Sequence, residues 1–263
     1  MESRLKELND ALDSGAFIQA RHMLNHTLKP AHTAHLLESS PPREREVLWN
    51  LVNPELEGEV LQHLNDEIQA EFVNQMNTDE LLQATVNLDT DDFADILQQL
   101  PKKVMQEVLD RLGQQDRDRL EQVLSYPEDT AGGLMNTDVV SIRPDLTVDA
   151  VLRYLRRHDR MPEMTDNLFV VTRKDRYIGL LPVTSMLVSD PHTLVTDIMD
   201  TEREAIPADL DEMDVANLFE RHDWVSAPVV NEEGRLLGRI TIDDVVDVIR
   251  EDADHSLMRM AGL

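Results

Sequence analysis

From the N-terminus to about residue 125, apolar positions recur at helical spacing in short runs broken by Pro, Asn, Ser, Thr or Asp. Thr78-Asp79-Glu80 precedes Leu81-Leu82, Thr90-Asp91-Asp92 precedes Phe93-Ala94-Asp95-Ile96-Leu97, and Pro101 precedes Val104, Met105, Val108 and Leu109. Acceptor side chains and proline at these places are helix-start signals. Helices this short do not hold together alone in water, so each must bury its apolar stripe against another. Stacked hairpins winding into a superhelix satisfy that need, and the first half is predicted to be all-α.

The pattern changes at Ser125-Tyr126-Pro127-Glu128-Asp129-Thr130-Ala131-Gly132-Gly133-Leu134-Met135. Gly132-Gly133 lacks the GxxxxGK[ST] arrangement of a phosphate loop and follows no predicted strand, so it reads as a connector. After it the chain repeats itself. Asp145-Leu146-Thr147, Val151, Leu155 and Arg157-His158-Asp159 return as Asp209-Leu210-Asp211, Val215, Phe219 and Arg221-His222-Asp223, at one constant offset. Phe169-Val170-Val171, Arg176 and Gly179 return as Pro228-Val229-Val230, Arg235 and Gly238, at an offset shorter by five. A longer loop around Met161–Asn167 in the first copy explains the difference. Each copy reads as strand, helix, strand, strand, helix: Val139–Ile142 or Glu204–Ile206, an amphipathic helix, Leu168–Thr172 or Ala227–Val230, a strand near Gly179-Leu180-Leu181 or Gly238-Arg239-Ile240, and a closing helix. Neither copy alone has a sufficient core, so the two should pack together. The fold class is α+β, an all-α domain followed by a β-α-β-β-α pair.

Composition narrows the function. The chain has 263 residues with 41% hydrophobic and only 4% aromatic content, which suits aliphatic helix packing. Against 25 basic residues stand 52 acidic ones, a net charge of -27. Such a surface repels phosphate backbones, so nucleic acid is not an expected partner, whereas cations are. The chain has no cysteine, hence no disulfide, thiolate nucleophile or Cys-based zinc site. The N-terminus has no signal-peptide core, and no run approaches the ~20 apolar residues that cross a bilayer, so the chain as given is expected to be soluble.

The most acidic stretch closes the chain. If Val245, Val246, Val248 and Ile249 bury one stripe of a helix, then Asp244, Asp247, Glu251 and Asp254 form a ladder of carboxylates on the other side. Such a ladder is either a solvated face or a seat for cations. Asp91 and Asp95, four apart, have the spacing of an ion cage, although Asp91 also suits the first turn of a helix, where the dipole favours an acid. His22 and His26 are four apart and His32 and His35 three apart, but HExxH is absent. His158-Asp159 and His222-Asp223 recur with the repeat after a helix and read as structural. No Ser-His-Asp set, nucleophile elbow or P-loop is present, and an enzyme is not expected.

The repeat resembles a tandem pair of CBS domains, and the whole chain resembles the cytosolic region of the MgtE family of magnesium transporters and channels. Tyr126–Met135, Leu88–Leu97, Val229–Gly238 and Thr241–Val248 carry the likeness. The resemblance implies a superhelical N domain over residues 1–125, a connector over 126–137, CBS domains over 138–196 and 197–252, and over 253–263 the start of a helix leading to a transmembrane pore that this sequence does not contain. It further implies a homodimer through the CBS domains on the cytoplasmic side of the cell membrane, joined to the pore domain of the full-length protein. Mg2+, with Mn2+ or Ca2+ as possible substitutes, would bridge acidic faces of the N and CBS domains. Carried over by motif, the ligands would be Glu59, Asp91, Asp95, Asp223, Asp244, Asp247 and Asp252. Beyond Asp252 this chain has Ala253, Asp254, His255 and Ser256 where the family often places more acids. The Thr241-x-x-Asp244 spacing resembles that of nucleotide-binding CBS domains, so ATP or AMP is an alternative ligand through Thr241 and Asp244. The first copy has Pro182 and Ser185 at those places.

Overall fold

The computed structural model describes residues 16–86, 88–158 and 160–261; in the last helix, side chains are described at Asp252 and Ala253 but not at Glu251 or 254–261. Asp159, and the carboxylates of Glu251 and Asp254 expected in the ladder, therefore lie outside the described residues. The chain divides into two compact units, Met1–Arg117 and Asp118–Leu263.

The first unit is helical throughout its described length. It runs α1 (Phe17–His26), α2 (Pro30–Ser39), α3 (Pro42–Trp49), α4 (Pro54–Leu61), α5 (Asp66–Val73), α6 (Thr78–Thr85), α7 (Thr90–Gln98) and α8 (Lys102–Arg111), while α9 (Gln114–Val123) crosses the division. Proline is the first residue of α2, α3 and α4, where a missing N–H costs nothing. Asn77 caps α6 in a reciprocal box with Glu80: the Asn77 side chain accepts from the Glu80 N–H, and the Glu80 carboxylate accepts from the Asn77 N–H. Helices two apart in sequence stack, α2 on α4, α4 on α6, α6 on α8 and α5 on α7, which is the expected superhelix. The α4–α6 crossing depends on Gly58. A methyl group there would lie 1.9 Å from the Ala84 carbonyl oxygen, inside any allowed contact. Leu37, Leu61, Leu81, Ile96 and Leu97 fill the interior.

The second unit holds two three-stranded sheets. In one, β1 (Ser141–Ile142) pairs parallel with β2 (Asn167–Val171), which pairs antiparallel with β3 (Tyr177–Pro182); in the other, β4 (Ile206–Pro207), β5 (Ser226–Val230) and β6 (Leu236–Thr241) do the same. Helices α10 (Val148–Leu155), α11 (Val183–Val188) and α12 (Val195–Ile198) accompany the first sheet, α13 (Glu212–His222) and α14 (Ile242–Ala261) the second. The repeat extends to irregularities, because the β2–β3 register shifts at Val170/Val171 and the β5–β6 register at the equivalent Val229/Val230. Thr147 and Asp211, matched in the repeat, both cap a helix by accepting a backbone N–H. The first strands are shorter than the sequence suggests: Val139-Val140 and Glu204-Ala205 lie outside them.

The connector is not a free linker. Ala131 and Gly132 donate their N–H groups to the carbonyls of Leu210 and Ala208 in the second repeat, and Glu212 donates to Asp129. Val195 and Thr196, ahead of the second repeat, donate to Leu146 and Pro144 in the first. Each repeat is thus edged by the segment that precedes the other. Gly132 and Gly133 are buried, with a Cβ at Gly132 falling 2.3 Å from the Tyr126 ring and one at Gly133 falling 2.5 Å from the Pro127 carbonyl oxygen.

Candidate functional site

The acids singled out from sequence stand in different surroundings. In α7, Phe93, Ala94, Ile96 and Leu97 form the buried stripe. Asp91 is the second residue of that helix, where the N-terminal partial charge favours a carboxylate. It is 6% exposed, whereas Asp95, one turn on, is exposed. Their helical spacing therefore does not give the two carboxylates equal access to solvent. Glu59 is exposed on α4, between the buried Gly58 and Val60.

In the second unit, Asp223 terminates α13 in the left-handed conformation, with φ 53°, and its N–H donates to the Phe219 carbonyl. Its carboxylate is exposed. Aspartate tolerates that backbone better than most residues, so its place here is explained by the turn alone. Next to it, Trp224 stacks on His222 at 4.9 Å, and the Arg203 guanidinium carbon lies 4.8 Å from its ring centre.

Helix α14 opens with a cap made by the Thr241-x-x-Asp244 spacing. The Thr241 N–H donates to Asp244 Oδ2 at 3.2 Å, the Thr241 hydroxyl bonds the same oxygen at 3.0 Å, and that hydroxyl also meets Asp243. One carboxylate oxygen of Asp244 is thereby committed to the start of the helix. Asp247 accepts from Arg250 at 3.0 Å across an exposed pair, and Asp252 is exposed. The expected apolar stripe is only half buried. Val245 and Val248 are 1% and 5% exposed, but Val246 and Ile249 are 47% and 46% exposed. Four apolar residues in a run of five span more than the arc a single packed face can cover. Among the described residues no group of three or more His, Asp or Glu side chains is placed to hold a metal ion.

Three features were not singled out from sequence. Arg239 of β6, 4% exposed, donates from Nη1 to the Met164 carbonyl at 3.2 Å and from Nη2 to the Glu163 carbonyl at 2.5 Å. The Ser226 hydroxyl donates to Asp166, which also accepts from Asn167 at 2.6 Å. The five-residue insertion of the first repeat is thus fastened to the second, and a cationic side chain in an apolar strand was its only sequence signal. Tyr177 is the third: burial pushes its hydroxyl pKa up, Asp200 adds to the rise, Arg203 opposes it, and the hydroxyl donates to the Arg203 carbonyl at 3.0 Å.

Comparison with known proteins bears on both units. The profile of the MgtE intracellular N domain matches residues 28–129, and that of the CBS domain matches 131–189 and 195–251. A crystal structure of the cytosolic domain of the Mg2+ channel MgtE in complex with ATP superposes with TM-score 0.83 at 35% identity, covering 93% of this chain and 99% of that one. The chain belongs to the MgtE family. The magnesium transporter MgtE of Thermus thermophilus is 34% identical over 267 residues, spanning 100% of this chain and 59% of the transporter. MgtE of Bacillus subtilis is 30% identical over 176 residues, 66% of this chain and 39% of that protein. The soluble part of a magnesium transporter superposes with TM-score 0.80 at 24% identity, a likeness of fold. The matched region thus spans 59% of the length of the Thermus relative and 39% of the Bacillus one. None of this MgtE chain's helices, among the described residues, is long and apolar enough to cross a membrane.

Proposed function

We propose that this chain is the Mg2+-sensing cytosolic region of a magnesium transporter or channel, on the inner face of the membrane. MgtE membership across both units carries the reading, and the chemistry of the chain supports it. At net charge -27 it repels itself, and divalent ions relieve such repulsion far better than monovalent ones. Mg2+ takes hard oxygen ligands, keeps several waters and needs only one or two carboxylates. Glu59, Asp95, Asp223, Asp247 and Asp252 offer exposed carboxylates that fit, with Asp91 and Asp244 beside them in sequence. Since no three described acids form a ready cage, each ion would be weakly held between neighbouring acidic faces. Weak sites suit a sensor, because several acting together steepen the response while each contributes only its difference in affinity between two states. With Mg2+ bound, the N and CBS domains close on one another and the pore shuts; without it they part and the pore opens. Mn2+ or Ca2+ would substitute to the extent that their coordination geometry allows.

A homodimer through the CBS pair accompanies this reading. Val246, Ile249, Leu187 and Val188 are exposed apolar residues of that unit, and a second copy would cover them. The test is small-angle scattering and trypsin protection across a Mg2+ titration. Compaction is expected as Mg2+ rises, and Asp95→Asn or Asp247→Asn should move the midpoint to higher Mg2+. These two are exposed, whereas Asp91 is buried and Asp244 caps α14. Identical dimensions and protection in chelator and in abundant Mg2+ would sink the proposal.

A second reading, adenosine-nucleotide binding, is favoured by the ATP-bound relative and by Thr241 and Asp244. Asp244 Oδ2 already serves the helix cap, and Pro182 and Ser185 weaken the matching half of the first repeat. Calorimetry with ATP separates the two: heat from ATP with none from Mg2+ favours the nucleotide.

A further inference from the structure

We propose that His22 and His26 form a two-imidazole chelate for a first-row divalent transition metal, a site chemically separate from the carboxylates that suit Mg2+. Both side chains are exposed on α1, one turn apart, with ring centroids 5.0 Å apart and planes inclined by 49°. A metal about 2.0–2.1 Å from one nitrogen of each ring sits about 3.2 Å from each centroid, so ligand angles of about 90° to 109° need centroids about 4.5–5.2 Å apart. The observed separation falls within that range before any side chain moves. Imidazole is a ligand for Cu2+, Ni2+ and Zn2+, whereas Mg2+ prefers oxygen. Two histidines at this helical spacing are the pair that zinc motifs use, here without the intervening glutamate. Water would complete the coordination.

The helix stands to gain from such a clip. At its start Ala16 makes no side-chain cap hydrogen bond, and the first turn carries no acid. Ala20, Met23 and Leu24 alone are buried, on the side away from the two histidines. A metal tying residues 22 and 26 binds only the helical form, so it stabilises the last turn of α1 by mass action. The chelate resides in one helix and needs neither a partner nor the rest of the acidic surface.

The experiment uses the chain without a histidine tag, stripped with chelator and titrated with NiCl2 by calorimetry in excess MgCl2. One Ni2+ per chain is expected, undiminished by Mg2+, together with an upward shift in melting temperature. His22→Gln and His26→Gln should each weaken binding at least about tenfold, because each removes the second ligand and with it the effective concentration that makes the pair bind. Both should also abolish the melting shift, while His32→Gln and His35→Gln leave it unchanged. Cu2+ electron paramagnetic resonance should report two coordinating nitrogens in the parent chain and one in either variant. Competition by Mg2+, unchanged affinity in both variants, or loss of binding in His35→Gln would each overturn the assignment.

Discussion

Gly58 shows how much of a helical array can hang on one missing methyl group. The Ala84 carbonyl occupies the space a side chain would take, and backbone cannot step aside as a flexible side chain can. Gly58→Ala is therefore expected to destabilise the first unit by roughly 3 kcal/mol, read by chemical denaturation; no loss, or the gain of up to about 1 kcal/mol that helix propensity alone would give, counts against the close α4–α6 packing. Near it, Glu57 is half-buried in the same helix, and burial first, then the charge of Glu80, raises its pKa above the ordinary 4.5. The folded chain then binds this proton more tightly than the unfolded chain. Its effect on stability is most favourable below about pH 4.5, declines as pH rises through the folded value, and stays unfavourable above it. Glu57→Gln should raise stability at neutral pH and lose that advantage in acid. Denaturation at matched pH values checks this, and an equal gain at every pH would contradict it. Nothing in the sequence marks Glu57 among the many acids, because its shift comes from what packs over it.

At the scale of elements, α14 shows two readings of one stretch meeting. Its carboxylates follow the helical period as expected, yet Asp244 is also the third helical residue of a cap, returning a hydrogen bond to the Thr241 N–H. Asp244→Ala should cost about 1 kcal/mol of stability through the cap, with or without Mg2+ or nucleotide, whereas the exposed Asp247→Ala should cost little without ligand. Thermal melts in chelator make the comparison, and equal losses would remove the cap from the explanation. The half-buried stripe has a similar lesson. Val245 and Val248 are covered while Val246 and Ile249 are not, since a helix turns 100° per residue and the neighbours packed on it, α13 and β6, cover only part of its circumference. The segment exchange between the repeats was not legible at all, because hydrogen bonds from Ala131 and Gly132 to residues far along the chain leave no local pattern.

For the whole molecule, charge sets the terms. A chain at -27 should gain stability from salt, since screening over a Debye length of about 8 Å at physiological ionic strength softens self-repulsion. Screening alone treats NaCl and MgCl2 of equal ionic strength nearly alike, while bound Mg2+ does not. Melting temperatures in the two salts at matched ionic strength should therefore diverge, MgCl2 giving the higher value, and coincident curves would leave only screening.

What the sequence determined by itself is whatever repeats over short distances: the helix starts, the apolar stripes of the first half, the two copies of the β-α-β-β-α unit, the inserted loop and the excess of acid. These follow from backbone capping and from the 3.6- and two-residue periods, which each segment carries within it. Tertiary structure decided which of two equivalent acids is covered, as Asp91 is and Asp95 is not, and which apolar residues of α14 find a partner. It also decided where the insertion docks, through Arg239 and Ser226. Burial depends on neighbours distant in the chain, and periodicity can say which residues share a face but not what lies against it.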